Sequence, residues 1–208
     1  MKVKDILFIT FFLSGLFFFA TRNHAQDIRF GVQGGFDITS ATGGSTGVGF
    51  HVGGVVELPV YNDLVAFEPA LNVGMKTAGR DFLGGRKTHR IVTIDLPLLF
   101  SYHINLSPEV MIAPQLGPFV GFGLLGSLNT KNGQVSTSSD LFSEPENYQR
   151  LNYGISAGGY IRLKQHFQAG IAYEYPLADF KKSFLSDNNT NHSAIRLSNI
   201  RVTVCYLF

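Results

Sequence analysis

The last ten residues, Asn199-Ile-Arg-Val-Thr-Val-Cys-Tyr-Leu-Phe208, alternate so regularly that they constrain their own conformation. A strand has a side-chain period of two. Ile200, Val202, Val204, Tyr206 and Phe208 therefore fall on one face, and Asn199, Arg201, Thr203, Cys205 and Leu207 on the other. One face is greasy and ends on aromatics, while the other carries a guanidinium. A sheet with hydrocarbon outside and polar groups inside reads this way. The pattern bears on solvent and fold class together and carries no reaction chemistry.

Seven further segments repeat the alternation, each long enough for a tilted strand to cross a bilayer, about nine to eleven residues. They run near 28–39, 47–58, 64–75, 90–103, 110–125, 151–163 and 167–177, and the last segment is 194–208. In the first, Phe30, Val32, Phe36 and Ile38 oppose Gln33 and Asp37; in the second, Val48, Phe50 and Val52 oppose His51 and Glu57. The third sets Phe67, Leu71 and Val73 against Glu68 and Asn72, and the fourth sets Val92, Ile94, Leu96 and Phe100 against Thr93, Asp95, Ser101 and His103. Prolines 97, 114, 118 and 176 fall within these segments, where a missing N–H predicts bulges or strand ends.

The connections alternate as well. Pro59–Asp63, Ile104–Glu109 and Lys164–His166 are short, whereas Ser40–Thr46, Lys76–His89, Gly126–Arg150 and Ala178–Ser193 are longer. Short turns on one rim and long loops on the other predict an all-β, eight-stranded antiparallel up-and-down transmembrane β-barrel, with both termini at the periplasmic rim. Aromatic girdles are expected from Tyr102, Phe167, Tyr206 and Phe208 at that rim, and from Phe36, Phe122, Tyr153 and Tyr175 at the other. A soluble lipocalin-type barrel is the rival fold and requires the reverse arrangement, apolar inside and charged outside.

The front end fits an exported chain. Lys2 and Lys4 precede an apolar run from Ile6 to Ala20 and the polar Thr21–His24, which reads as a cleavable signal peptide over residues 1–25, with cleavage after Ala20 as an alternative. The run is too short for a comfortable spanning helix. Residues 26–208 then form one domain, and removal of the leader lowers Lys+Arg from 17 to 14 and Asp+Glu from 15 to 14. A formally neutral chain lacks the basic field that nucleic-acid binding needs. Cys205 is the only cysteine, so no internal disulfide can form.

Several stretches carry a resemblance that spans the mature region. Gly31-Val-Gln-Gly-Gly-Phe36, Gly49-Phe-His-Val-Gly-Gly54, Glu68-Pro-Ala-Leu-Asn-Val-Gly74, Ile94-Asp-Leu-Pro-Leu-Leu-Phe-Ser-Tyr102, Ala113-Pro-Gln-Leu-Gly-Pro-Phe-Val-Gly121, Asn152-Tyr-Gly-Ile-Ser-Ala-Gly-Gly159 and Tyr206-Leu-Phe208 follow one another in order. The chain resembles the PorT-like outer-membrane β-barrel proteins of Bacteroidota. That resemblance implies a barrel in the outer membrane and no particular reaction.

The expected function is therefore a non-enzymatic structural or protein-interaction role in the envelope, in secretion or envelope assembly, with no cofactor. Outer-membrane lipid, lipopolysaccharide and other envelope or secretion proteins are the expected partners, nucleic acid is not, and a monomer is favoured. An eight-stranded lumen is only wide enough to be filled by side chains. Glu57, Glu68, Asp95, Arg162, Glu174 and Arg201 fall on inner faces, where buried charges must pair, so a structural network is expected there. Arg80, Arg86, Lys87, Arg90, Lys181 and Lys182 fall in or beside long loops and are candidates for contact with lipopolysaccharide or a partner. Two alternatives remain: a small-solute channel, and a barrel enzyme acting on lipid A or phospholipid. For the enzyme, Ser101, His103 and Asp95 share a face, but residues two apart on a strand are about 7 Å apart, too far for a nucleophile and its base. His51, His89, His166 and His192 are dispersed and show no zinc-site spacing, so neither a metal nor a catalytic set is expected.

Overall fold

A computed structural model of the chain describes residues 28–41, 45–61, 64–82, 85–132, 135–140, 150–177 and 197–208. The leader assigned to residues 1–25 lies outside them. The described strands are β1 (Arg29–Ala41), β2 (Ser45–Tyr61), β3 (Val65–Phe82), β4 (Gly85–Tyr102), β5 (Ile104–Ser107), β6 (Val110–Asn132), β7 (Val135–Asp140), β8 (Leu151–Leu163), β9 (Phe167–Pro176) and β10 (Leu197–Leu207). Eight of them form a closed antiparallel ring in the order β1, β2, β3, β4, β6, β8, β9, β10, with β10 returning to β1. The short β5 continues β4 and pairs with the start of β6, and β7 folds back on the end of β6.

Ring closure joins the two ends of the chain. Gly31 pairs with Leu207 and Ala41 with Leu197, and the Phe208 N–H donates to the Phe30 carbonyl at 2.8 Å. With no water to solvate strand edges in hydrocarbon, closure is what makes a sheet able to span. The burial pattern has the sense the alternation predicts. Val204 is 62% exposed and Phe36 64%, whereas their strand neighbours Arg201 and Asp37 are 6% and 0%. The greasy faces look out and the charges in, the inverse of a lipocalin. All eight predicted girdle aromatics are exposed, and Tyr206 packs between Phe167 and Phe208 with centroids 5.0 and 5.5 Å away.

The structure differs from the sequence expectation above the ring. The segment Lys76–His89 is not an open loop: β3 runs to Phe82 and β4 starts at Gly85, paired throughout. β6 likewise continues to Asn132 and pairs with β7, within what reads as the loop Gly126–Arg150. The prolines also differ. Pro97, Pro114 and Pro118 sit in uninterrupted register opposite Phe119, Gly159 and Ile155, and Pro176 alone marks a strand end. Each strand residue directs its N–H to one neighbour only, so a proline removes one ladder bond and leaves the pleat intact. The irregularity between β4 and β6 lies elsewhere. Thr93 pairs with Gly123 and Val92 with Leu125, which leaves Leu124 as a bulge.

Glycine meets a steric need where strands coil closely. A Cβ on Gly35 would land on the Val202 carbonyl across the β1–β10 seam, while one on Gly54 would sit 3.6 Å from the Gly31 carbonyl oxygen, an ordinary contact. Gly35→Val is expected to destabilise the barrel by about 3 kcal/mol or more, with Gly54→Ala near neutral. The fraction migrating as the compact unboiled species in detergent gels measures both.

Candidate functional site

Polar side chains fill the lumen because alternate residues of every ring strand point there. They gather into two tiers. The upper tier, nearer the rim opposite the termini, centres on Arg201 of β10. Its Nε donates to Asp37 Oδ1 at 3.1 Å and Nη2 to Asp95 Oδ2 at 2.9 Å, and Nη1 forms an ion pair with Glu174 Oε1 at 3.1 Å. Lys76 Nζ lies 2.9 Å from Asp95 Oδ2 and 3.5 Å from Glu174 Oε2. Asn199 donates to Asp37 and Glu174 at 2.8 and 3.0 Å, and the His51 ring spans Asp37 Oδ2 at 2.9 Å and Thr203 Oγ1 at 3.1 Å.

The lower tier, nearer the short turns, centres on two glutamates. Arg162 forks onto both oxygens of Glu57, and its Nη2 also lies 3.1 Å from the Tyr160 hydroxyl. Tyr160 and Ser101 both donate to Glu68 Oε1, the former at 2.8 Å, and Gln115 Nε2 donates to Glu68 Oε2 at 2.8 Å. Between the tiers is a cavity of about 70 Å³ whose lining includes Gln33, Glu68, Gln115, Glu174, Arg201 and Cys205. At about 10–15 Å³ per molecule it has room for a few waters.

Glu57, Glu68, Asp95, Arg162, Glu174 and Arg201 are each no more than 6% exposed. The structure divides them: Asp95, Glu174 and Arg201 meet in the upper tier, Glu57 and Arg162 in the lower, with Glu68 beside them. The sequence reading missed Lys76, which it left in a loop. The signal was available, since Glu68, Asn72 and Lys76 share one phase of the alternation. Of the loop cations, Arg90 is exposed; Arg80, Arg86 and Lys87 have strand backbone in β3 and β4 with side chains outside the described set; and Lys181 and Lys182 lie outside the described residues.

Ser101 and His103 also require correction. The Ser101 hydroxyl lies 3.1 Å from His103 Nε2, because His103 stands at the break between β4 and β5 and its ring reaches back along the strand. Asp95 belongs to the other tier, and the acid near the pair is Glu68, 3.7 Å from the same Nε2. A nucleophile–base–acid relay needs the acid on the far ring nitrogen. Here Ser101, Tyr160 and Glu68 all crowd one nitrogen, and Ser101 is 1% exposed.

Glu57, Glu68 and His103 bring ligand-type atoms within 4.8 Å of one another. Arg162 already occupies both Glu57 oxygens, and Glu68 accepts from Ser101, Tyr160 and Gln115. A guanidinium beside the site opposes a dication, and the donor set is that of an ion-pair network.

A family model agrees with this architecture. Residues 22–182 match the family model described as outer membrane protein beta-barrel domain. Similar solved structures include Neisserial surface protein A (14% identity, covering 89% of this chain and 100% of that chain, TM-score 0.48). Ail of Yersinia pestis in complex with the heparin analogue sucrose octasulfate is 11% identical, covering 88% and 100%, with TM-score 0.44. The N-terminal β-barrel domain of Pseudomonas aeruginosa OprF is 15% identical, covering 86% and 97%, with TM-score 0.36. No curated protein sequence matches.

Removing Arg201 leaves Asp37, Asp95 and Glu174 with Lys76 as the remaining fixed cation of the tier among the described residues. Arg201→Ala is expected to cost about 3–5 kcal/mol, read from chemical denaturation in detergent micelles.

Proposed function

This chain belongs to the outer membrane protein β-barrel domain family, and from that membership we propose a non-catalytic role in the envelope, as a structural or protein-interaction element of secretion or envelope assembly. It is an integral outer-membrane β-barrel. Its export by a signal peptide over residues 1–25 and its place among PorT-like proteins of Bacteroidota are part of the same proposal, as are partners among envelope proteins and lipopolysaccharide. In such barrels the short turns face the periplasm, which puts the lower tier on that side.

One observation carries the reading: the charged groups of the lumen are engaged with each other across the ring. Upper-tier contacts run among β1, β2, β3, β4, β9 and β10. Lower-tier contacts run among β2, β3, β4, β6 and β8, with Arg29 of β1 3.9 Å from Glu57. Carboxylates already paired with arginine and lysine hold the wall together and are poor ligands for a passing ion, which argues for structure over transport, although Asp95 Oδ1 accepts no hydrogen bond. The enzyme alternative draws on the Ser101–His103 contact. Against it stand the buried hydroxyl, the shared nitrogen and a position near the short turns, away from outer-leaflet lipid.

Planar-bilayer recording tests the proposal. The purified protein is expected to give no discrete conductance steps, and Glu68→Ala and Arg201→Ala are expected to lower its unfolding temperature without creating any. Conductance steps that either substitution alters assign the lumen to ion passage. Cross-linking in intact envelopes identifies the partner.

A further inference from the structure

The part of the sheet that continues β3, β4 and β6 beyond the ring carries an unusual register. Arg80 of β3 is paired directly with Lys87 of β4, and Arg86 of β4 with Lys131 of β6. Like charges set opposite each other in neighbouring strands destabilise a sheet. Asp81, paired with Arg86 on its other side, is the one acid in these rows; on the same face the next row is Gly79–Thr88–Asn129, and the one after it holds Arg90 between Thr77 and Ser127, with Asp140 of β7 opposite Ser127. Arg80 and Lys87 share the face that points to the lumen lower down; on the other face Arg86, Arg90 and Lys131 stand with Asp81 and Asp140, three cations to two acids.

The bulge at Leu124 produces part of the arrangement. Below it Thr93 pairs with Gly123, and continuing that register upward would set Thr130 opposite Arg86. Above it Val92 pairs with Leu125, so Lys131 takes the position instead. Bulges of this kind re-aim the residues that follow them.

The face that holds positions 86, 90, 127 and 131 is the face that meets lipid lower down. Positions 86 and 90 are in phase with Leu96 and Phe100, which are 39% and 50% exposed, and position 131 is in phase with Leu125, 69% exposed. Arg90, itself exposed, stands two residues beyond Val92, about 7 Å along the strand. That is the depth of the headgroup zone above the hydrocarbon.

We propose that the outer face of the β3–β4–β6 extension, centred on Arg86, Arg90 and Lys131, binds the phosphate groups of a phosphorylated glycolipid in the outer leaflet. The inference rests on the outer-membrane placement above. Its occupant follows from the continuity of the cationic rows with the lipid-facing wall and from the excess of cations, which an anion would relieve. Arginine suits the task because its planar fork meets phosphate oxygens in pairs. Arg90 stands at the level of phosphate at the acyl boundary, and positions 86 and 131 are paired further out on the same face, at the level of phosphate carried on the sugars.

Native mass spectrometry of the micelle-embedded protein, titrated with diphosphoryl lipid A or with its dephosphorylated form, tests the proposal. The wild type is expected to retain the diphosphoryl form, and less of it as salt rises. The variant Arg86→Asn/Arg90→Asn/Lys131→Asn is expected to bind it about tenfold more weakly. Lys164→Asn, which removes a cation at the opposite rim, is expected to change nothing. Equal retention by the triple variant, equal retention of the dephosphorylated lipid, an equal loss with Lys164→Asn, or displacement of the lipid by soluble heparin at matched concentration overturns the inference. Arg90→Gln alone, two to three times weaker, serves if the triple variant does not fold. Heat-modifiable migration is scored in parallel. A wild type that stays folded without detergent overturns the outer-membrane placement itself, whereas a heat-modifiable barrel with undiminished lipid binding in the variants overturns this inference alone.

Discussion

Hydrocarbon offers no hydrogen-bonding partner to a peptide group, and the rest of this structure follows from that. Every strand at membrane depth must find a neighbour on both sides, so β10 returns to β1 and the sheet closes. Closing at eight strands fixes a narrow lumen, which side chains must fill. Alternation then sends half of each strand's residues inward, and because the outward half must be apolar, polar chemistry collects inside. The charges of the lumen are thus a consequence of the wall, and their pairing with one another lowers the cost of burying them.

The two tiers divide that task. Arg201 gathers three carboxylates from β1, β4 and β9, while Arg162, Tyr160 and Gln115 anchor the glutamates of β2 and β3 from β8 and β6. Between them the tiers draw on all eight ring strands. A buried ion network of this sort contributes little net stability over well-packed apolar groups. Its stronger effect is on register. A slip of one residue would turn a strand's entire inner set toward lipid, so an arginine matched to carboxylates on three other strands penalises every misaligned pairing.

How much of this was legible in the sequence depended on whether the two faces of a strand differ. Where lipid lies on one side and the lumen on the other, as in Leu151–Leu163, the segment could be bounded to the residue. Beyond the ring the sequence shows no such contrast. The segments Lys76–Phe82 and Gly85–Arg90 are polar on each side, the alternation loses its contrast, and paired strands read as loop. Lys76 was lost with them although it reaches back into the lumen. Spacing along one strand also misjudged Ser101 and His103, because a break in the strand lets the imidazole fold back toward the hydroxyl. Contacts between strands, such as Tyr160 with Glu68, depend on stagger around the ring, which one sequence does not display.

The seam between β1 and β10 has a kinetic consequence. Its partners are separated by almost the whole chain, from Gly31 to Leu207, so the pairing that seals the cylinder is among the last that synthesis can make available. Until then the strand that begins the ring has one side unmatched, and Asp37 waits for Arg201 and Asn199. Pairings so distant in sequence form slowly. The cylinder therefore closes late, and until it does β1 and β10 present open edges to any neighbouring strand.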